Sequence, residues 1–274
     1  MRVVKNNYEN LKDALANKYN YVCKGIFNQK TLLQHSMKLI LLFFYFRRQN
    51  MHKKKLAGQK ATEYIKDGMI LGLGTGSTAY YMIKRVGELV QGGMKLKAVA
   101  TSKSTERLAM ELHIPLVQID EIDKIDLCID GVDEIDKHFN AIKGGGGALF
   151  REKIVANLAN EVIWIMDDSK LVDSIGTFPL PIEVLPYGYT QVIRKLKEYA
   201  FNPIIRMKDG NVFVTDNGNY IVDLPIGNLI DINAVSNKIS GITGVLETGL
   251  FINMCNRIIV GTENGTKVIE NSGI

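Results

Sequence analysis

From about residue 52 the chain alternates short, nearly continuous apolar runs with stretches of helical period. The pattern predicts a helix over 55–66, leading through Asp67-Gly68 into a strand over 69–73. After Gly74-Thr-Gly-Ser-Thr78 it predicts an amphipathic helix over 79–90, a strand over 96–101 and a helix over 104–112. Strands follow over 116–119 and 125–129, then a glycine-rich loop, a helix near 148–159 and a strand over 162–166. Apolar strands without polar alternation, separated by helices, belong to a parallel sheet covered on both faces.

The rhythm changes near Phe178-Pro-Leu-Pro181. A strand, a helix over 190–199 and strands over 204–207, 212–215 and 220–223 come next. Thr215-Asp-Asn-Gly-Asn219 is a hairpin signal, because Asn-Gly accepts the positive φ that such turns need. A helix near 231–239 and a strand near 244–251 complete this part, and 257–260 with 266–269 are expected to return to the first sheet. The expected fold class is α/β: a Rossmann-like parallel sheet covered by helices, with a second, smaller α+β domain of ferredoxin-like form. The expected division is 51–175 plus 252–274 for the larger domain and 176–251 for the smaller.

Residues 1–50 differ from the rest, being rich in Asn, Lys and Tyr and ending in an apolar run over 39–46 followed by Arg47-Arg48. That run is too short to span a bilayer as a helix. It suits a signal-peptide core in length, yet lies far from the terminus with no small-residue cleavage site after it. The segment is read as an extension, with Met51 a candidate start and organelle targeting the alternative to a cytoplasmic location.

Composition adds exclusions. The 46% hydrophobic and 23% charged residues are those of an ordinary globular chain. A net charge of +5, with Arg47, Arg48, Lys53, Lys54 and Lys55 crowded together, is no basic nucleic-acid surface. Three scattered cysteines, Cys23, Cys128 and Cys255, argue against a disulfide framework. His35, His52, His113 and His138 lack metal-ligand spacing.

Three loops carry chemistry, each after an apolar strand, where ligands gather in open α/β sheets. In Gly72-Leu-Gly-Thr-Gly-Ser-Thr78, Gly76 lets backbone approach a ligand, and the hydroxyls of Thr75, Ser77 and Thr78 precede a helix N-terminus suited to phosphate. It is a poor dinucleotide fingerprint, since Ser77 stands where the third glycine belongs. The acids of Asp130-Gly-Val-Asp-Glu-Ile-Asp136 have three readings: a cation site, a solvated loop, or carboxylates for proton transfer and hydroxyl binding. Lys143 and the run Gly144, Gly145, Gly146 and Gly147 bring a positive charge and close-approaching backbone to an oxyanion. Glu152 falls about one turn into the helix that follows. Read locally, it is a surface charge between Arg151 and Lys153. Lys170, in Asp167-Asp-Ser-Lys170, either reaches a phosphate or is solvated.

In order, the words GLGTGSTA, IDGVDEID, IKGGGGALFREKIVA, DDSKLV, FPLPIEVLP and VTDNGN closely resemble the type A ribose-5-phosphate isomerase family, from about Met51 to the C-terminus. The resemblance implies an aldose–ketose isomerase of the pentose phosphate pathway, interconverting D-ribose 5-phosphate and D-ribulose 5-phosphate without a cofactor. It makes Glu152 the general base, gives the sugar hydroxyls to Asp130 and Asp133, and has Lys143 and the glycine amides steady an enediolate. One of the two aspartates assists ring opening, and the sequence does not choose between them. Thr75, Ser77, Thr78 and Lys170 would hold the phosphate. Lys54 falls where the family has a phosphate-contacting lysine, though three adjacent lysines blur the register. The partners implied are a phosphosugar and further copies of the chain, as a dimer or tetramer.

The chemistry agrees with these roles. The C2 proton of an aldose is weakly acidic, so moving it to C1 needs a positioned base, a stabilised oxyanion and exclusion of water. Three rivals stand: a deaminase or lactonase, expected to use a histidine; a sugar-phosphate sensor with a DNA-binding module; and a metal-dependent isomerase using the acids of 130–136.

Overall fold

The computed structural model describes Tyr45 and residues 47–227 and 231–273. The chain forms two compact units, Met1–His52 and Lys53–Ile274. In the first, Tyr45 and residues 47–52 are helical, and the apolar run over 39–46 lies outside the described residues apart from Tyr45.

The second unit opens with helical residues 53–61 and a tight 3-10 turn, Thr62–Tyr64, so the helix predicted over 55–66 ends early, with Ile65 extended. Its first strands are β1 (Ile70–Leu73), β2 (Lys97–Ala100), β3 (Leu127–Gly131), β4 (Glu134–Ile135), β5 (Ala141–Ile142) and β6 (Val162–Asp167). Then come β7 (Leu180–Val184), β8 (Ile204–Ile205), β9 (Met207–Lys208), β10 (Asn211–Val212) and β11 (Tyr220–Leu224). The last are β12 (Val245–Thr248), β13 (Leu250–Phe251), β14 (Arg257–Thr262) and β15 (Gly265–Glu270).

The main sheet has six strands in the order β15-β14-β6-β3-β1-β2, all parallel except β15, which pairs antiparallel with β14. Successive strand residues feed opposite cores. Leu71, Leu73, Leu127, Ile129, Ile163 and Ile165 meet Met82, Ile83 and Val86 of the helix Ala79–Gln91 on one face. Val99, Cys128, Val162, Trp164 and Met166 meet Val155 and Ala156 of the helix Leu149–Asn157 on the other. Burial on both faces explains runs that are apolar without alternation. The tail returns as expected, β14 lying parallel to β6. It runs so close to the helix at residue 53 that a Cβ on Gly261 would stand 1.9 Å from the Lys53 carbonyl oxygen.

The smaller sheet has the order β12-β7-β11-β8 with all neighbours antiparallel. With the helices Tyr189–Glu198 after β7 and Ile232–Ser240 after β11, this is the βαββαβ arrangement of ferredoxin-like domains. Leu180, Ile182, Val184 and Val222 pack there against Val192, Leu196 and Ile239. Two predicted strands shrink. Residues 116–119 make one bridge, Leu116 to Ala98 on the outer side of β2, then enter a 3-10 turn, and 212–215 divide between β10 and the bridge Val214–Tyr220. The strand near 244–251 is broken at Gly249 into β12 and β13. A three-stranded sheet, β13-β5-β4, was not foreseen, and it aligns the acidic loop with the glycine run by pairing Glu134 with Ile142.

Candidate active site

Asp130 is the penultimate residue of β3, on the central part of the sheet, and is fully buried. Its Oδ1 accepts from the Thr75 amide at 2.8 Å and from the Gly131 amide at 2.6 Å. Residue 74 has to be glycine for this, because a Cβ there would stand 2.1 Å from Asp130 Oδ1. So the glycine loop after β1 is fixed by the carboxylate at the end of β3.

Lys143 follows β5, and its ammonium lies 3.0 Å from Asp130 Oδ2 and 3.5 Å from Glu152 Oε2. It also donates to the Gly131 carbonyl and faces the rings of Trp164 at 4.7 Å and Phe251 at 5.4 Å. Asp130, Lys143 and Glu152 are 0%, 1% and 5% exposed, which removes the surface-charge reading of Glu152. Burial pushes the Glu152 carboxyl up to about 8, with Lys143 pulling the other way and the charge of Asp130 adding to the rise. Burial also raises Asp130, against the pull of Lys143. For Lys143 burial acts to lower the pKa, but the two carboxylates outweigh it and hold the ammonium charged. Glu152 Oε2 makes no hydrogen bond, so this buried carboxylate has acceptor capacity to spare.

The glycine run turns directly after Lys143. Gly144 has φ +104°, a left-handed conformation that favours glycine, and the Gly145 amide donates to Asp133 Oδ2 at 2.7 Å. Asp133 is half-buried, and Gly145 and Gly146 are exposed at the loop tip. The Thr75 hydroxyl lies 2.7 Å from that of Thr101 and 2.8 Å from that of Ser102, so it faces a cluster of hydroxyls within the protein. Gly76 and Ser77 are exposed, and Thr78 is buried at the start of the helix.

The three adjacent lysines separate. Lys53 pairs with Asp168 at 2.9 Å and Glu263 at 3.7 Å, and Lys55 is exposed. Lys54 donates to Ser77 Oγ at 2.9 Å and lies 3.9 Å from Asp167. Burial lowers its pKa, and the positive charge of Lys170 acts in the same direction. Lys54, Ser77 and Lys170 therefore gather at one end, with Asp133 within electrostatic reach.

Residues 97–265 match the model of the family "Ribose 5-phosphate isomerase A (phosphoriboisomerase A)". The chain belongs to that family. The ribose-5-phosphate isomerase A of Bacillus mycoides is 50% identical over 218 residues, covering 79% of this chain and 99% of that one. The ribose 5-phosphate isomerase A structure from Methanocaldococcus jannaschii is 39% identical with a TM-score of 0.77, covering 81% and 100% of the two chains. The Plasmodium falciparum enzyme superposes at 0.78 with 38% identity, over 81% and 99%. A D-ribose-5-phosphate isomerase in complex with phospho-erythronic acid matches at 0.77 and 38%, over 80% and 98%.

The other acids of the loop have local work. Glu134 accepts from the amides of Gly176 and Phe178, and Asp136 accepts from those of His138 and Asn140. Lys153 donates to Glu247 and to the carbonyls of Thr248 and Leu250, tying the Glu152 helix to β12 and β13. Arg206, between β8 and β9, holds the carbonyls of Gly144 and Gly145, and sequence reading missed it. Its one signal was an arginine next to short strands of the smaller domain. A cavity of about 280 Å³ lined by Val99, Leu116, Phe150, Arg151 and Ile154 includes none of the clustered residues.

Proposed function

We propose that Asp130, Lys143 and Glu152 carry out the reaction of the family on this chain, the interconversion of D-ribose 5-phosphate and D-ribulose 5-phosphate through an enediolate. One observation carries this reading: a buried ammonium set between two buried carboxylates, each with one oxygen that makes no hydrogen bond. Glu152 takes the C2 proton and returns it to C1. An elevated pKa suits it, because a base poised near neutrality both accepts and releases a proton readily. Lys143 stabilises the charge that develops on the sugar oxygen, with the amides of Gly144–Gly146 beside it. Between the two carboxylates it occupies the place a divalent cation would take. Asp130 and Asp133 hold the sugar hydroxyls, and one of them assists ring opening.

The phosphate end is assigned to Lys54, Ser77, Thr78, Gly76 and Lys170, supported by the two lysines whose charges oppose each other there. Thr75 contributes through its loop, since its hydroxyl is engaged with Thr101 and Ser102. A phosphate anchored at that end supplies binding energy that places C1 and C2 at Glu152. A related isomerase complexed with phospho-erythronic acid supports a site for a phosphorylated sugar acid. The proposal extends to a cytoplasmic homo-oligomer, dimer or tetramer, and to a domain division of 51–175 plus 252–274 and 176–251. Among the described residues no helix is long and apolar enough to cross a membrane.

The test is turnover of ribose 5-phosphate by the full chain, with and without a chelator. Turnover is expected to resist chelation and to fall about 10²–10⁴-fold in Glu152→Gln. Full activity in that variant overturns the base assignment, and a parent without turnover favours a sugar-phosphate sensor.

A further inference from the structure

Arg206 uses every nitrogen of its guanidinium within the protein. Nε donates to Asp223 Oδ2 at 2.9 Å, Nη2 pairs with Asp223 Oδ1, and Nη1 donates to the carbonyls of Gly144 at 2.9 Å and Gly145 at 3.2 Å. The arginine and Asp223 both belong to the smaller sheet region, Asp223 lying in β11 and Arg206 just after β8. The carbonyls they hold lie in the loop that follows Lys143.

A trans peptide is planar, with its C=O and N–H pointing in opposite directions. Among the described residues all peptides are trans. The peptide joining Gly144 to Gly145 is therefore pinned at both ends, Arg206 on its carbonyl and Asp133 on its N–H at 2.7 Å. The next peptide has its carbonyl on Arg206 too, which directs the Gly146 N–H away from the arginine. Within the run the Gly147 amide also donates to the Gly144 carbonyl at 2.9 Å, so a turn bond and Arg206 hold that oxygen together, while the Gly145 carbonyl has Arg206 as its side-chain partner. A flip of the first peptide would turn a carbonyl toward Asp133 and put lone pair against carboxylate.

We propose that Arg206, locked by Asp223, is a positioning residue that sets the orientation of the Gly144–Gly145–Gly146 peptides, so that the Gly145 amide fixes Asp133 and the Gly146 amide is turned from the arginine toward the reacting end of the sugar. This rests on the reading of the site given above. The arginine acts without touching the substrate: its planar fork spans carboxylate and carbonyls at once, which a lysine cannot do.

The experiment compares Arg206→Ala, Arg206→Lys and Asp223→Asn in the full chain. It reads kcat, KM, inhibition by phospho-erythronic acid, inhibition by inorganic phosphate, and Tm. In Arg206→Ala kcat is expected to fall about 10–100-fold, below the 10²–10³ typical of deleting an oxyanion donor outright. KM should change less than about threefold, since loss of an interaction made mainly in the transition state appears in kcat. Affinity for phospho-erythronic acid should fall with kcat while that for phosphate holds. Arg206→Lys should fail to restore kcat, and Asp223→Asn should lie between it and the parent. An unchanged kcat in either arginine variant overturns the proposal. So does a rise in KM and in the phosphate inhibition constant at constant kcat, which would make Arg206 a direct phosphate contact. If Arg206→Ala does not fold, Arg206→Lys and Asp223→Asn decide by the same criteria. Loss of activity in Glu152→Gln with unchanged Arg206 variants separates failure of this inference from failure of the site reading.

Discussion

The ammonium of Lys143 stands 3.0 Å from one Asp130 oxygen and 3.5 Å from one Glu152 oxygen, inside a shell that almost excludes water. One positive charge thus serves two carboxylates. If both were ionised the cluster would carry an excess negative charge in a low-dielectric setting, so the less well paired group holds its proton more tightly. That group is Glu152, because Asp130 also receives two backbone amides.

The pH profile should show it. The proposed base Glu152 would act only when deprotonated, so kcat/KM should rise with pH through a pKa displaced upward toward about 8. Asp130 is one cause of the displacement, so Asp130→Asn should move this limb to lower pH even as it lowers the maximum. An acid limb at the ordinary glutamate value, unmoved in Asp130→Asn, would refute the coupling.

Stability should follow the same group. A carboxyl raised from 4.5 to about 8 on folding binds more protons in the folded state between those values. Its contribution is full below the unfolded pKa and is lost as pH rises through the folded one. The Tm of Glu152→Gln should therefore decline less than that of the parent between about pH 5 and pH 8.5. Lys143→Met should act oppositely, leaving two buried carboxylates unpaired at a cost of about 3–5 kcal/mol. Thermal melts across pH decide both; a steeper decline in Glu152→Gln would contradict the assignment.

Within the acidic loop, the proposed chemistry of Asp130 and Asp133 is separable from the structural bonds of Glu134 and Asp136. Glu134 binds the amides of Gly176 and Phe178 and no substrate-facing group, so Glu134→Gln should lower stability by about 1–3 kcal/mol through a mismatched buried acceptor. Its kcat at a temperature where the variant is folded should stay within about threefold of the parent, a range under 1 kcal/mol. A loss comparable with that of Asp130→Asn would show that the whole loop takes part in catalysis.

At the other end of the substrate, Lys54→Ala and Lys170→Ala should each raise KM and the inorganic phosphate inhibition constant by about tenfold, the equivalent of 1.4 kcal/mol. The increases should shrink with added salt, because both lysines are partly open to solvent. A change confined to kcat would place them elsewhere.

Much of this was legible in the sequence. Both sheets and the return of the tail followed from apolar runs and turn residues, because those patterns report local geometry. The loops stood out as candidate sites, since Gly72–Gly76 and Lys143–Gly147 have few structural uses at such cost in chain entropy. Glu152 was not: helical spacing between Arg151 and Lys153 reads as surface, and only the family likeness selected it. Its burial comes from packing of its helix against β3, β7 and β12, which local spacing does not encode. Arg206 was invisible for a related reason. Its partners Gly144 and Gly145 lie 62 and 61 residues away, and no local pattern encodes such a contact.

The close passage of Gly261 beneath the Lys53 carbonyl has a consequence for biosynthesis. Lys54, the neighbour of that carbonyl, reaches Ser77 from a helix seated on β14, among the last strands to leave a ribosome. Until Gly261 has emerged, a nascent chain lacks the strand on which the Lys54 helix sits. A chain ending before that strand would leave the lysine proposed to hold phosphate without its seat.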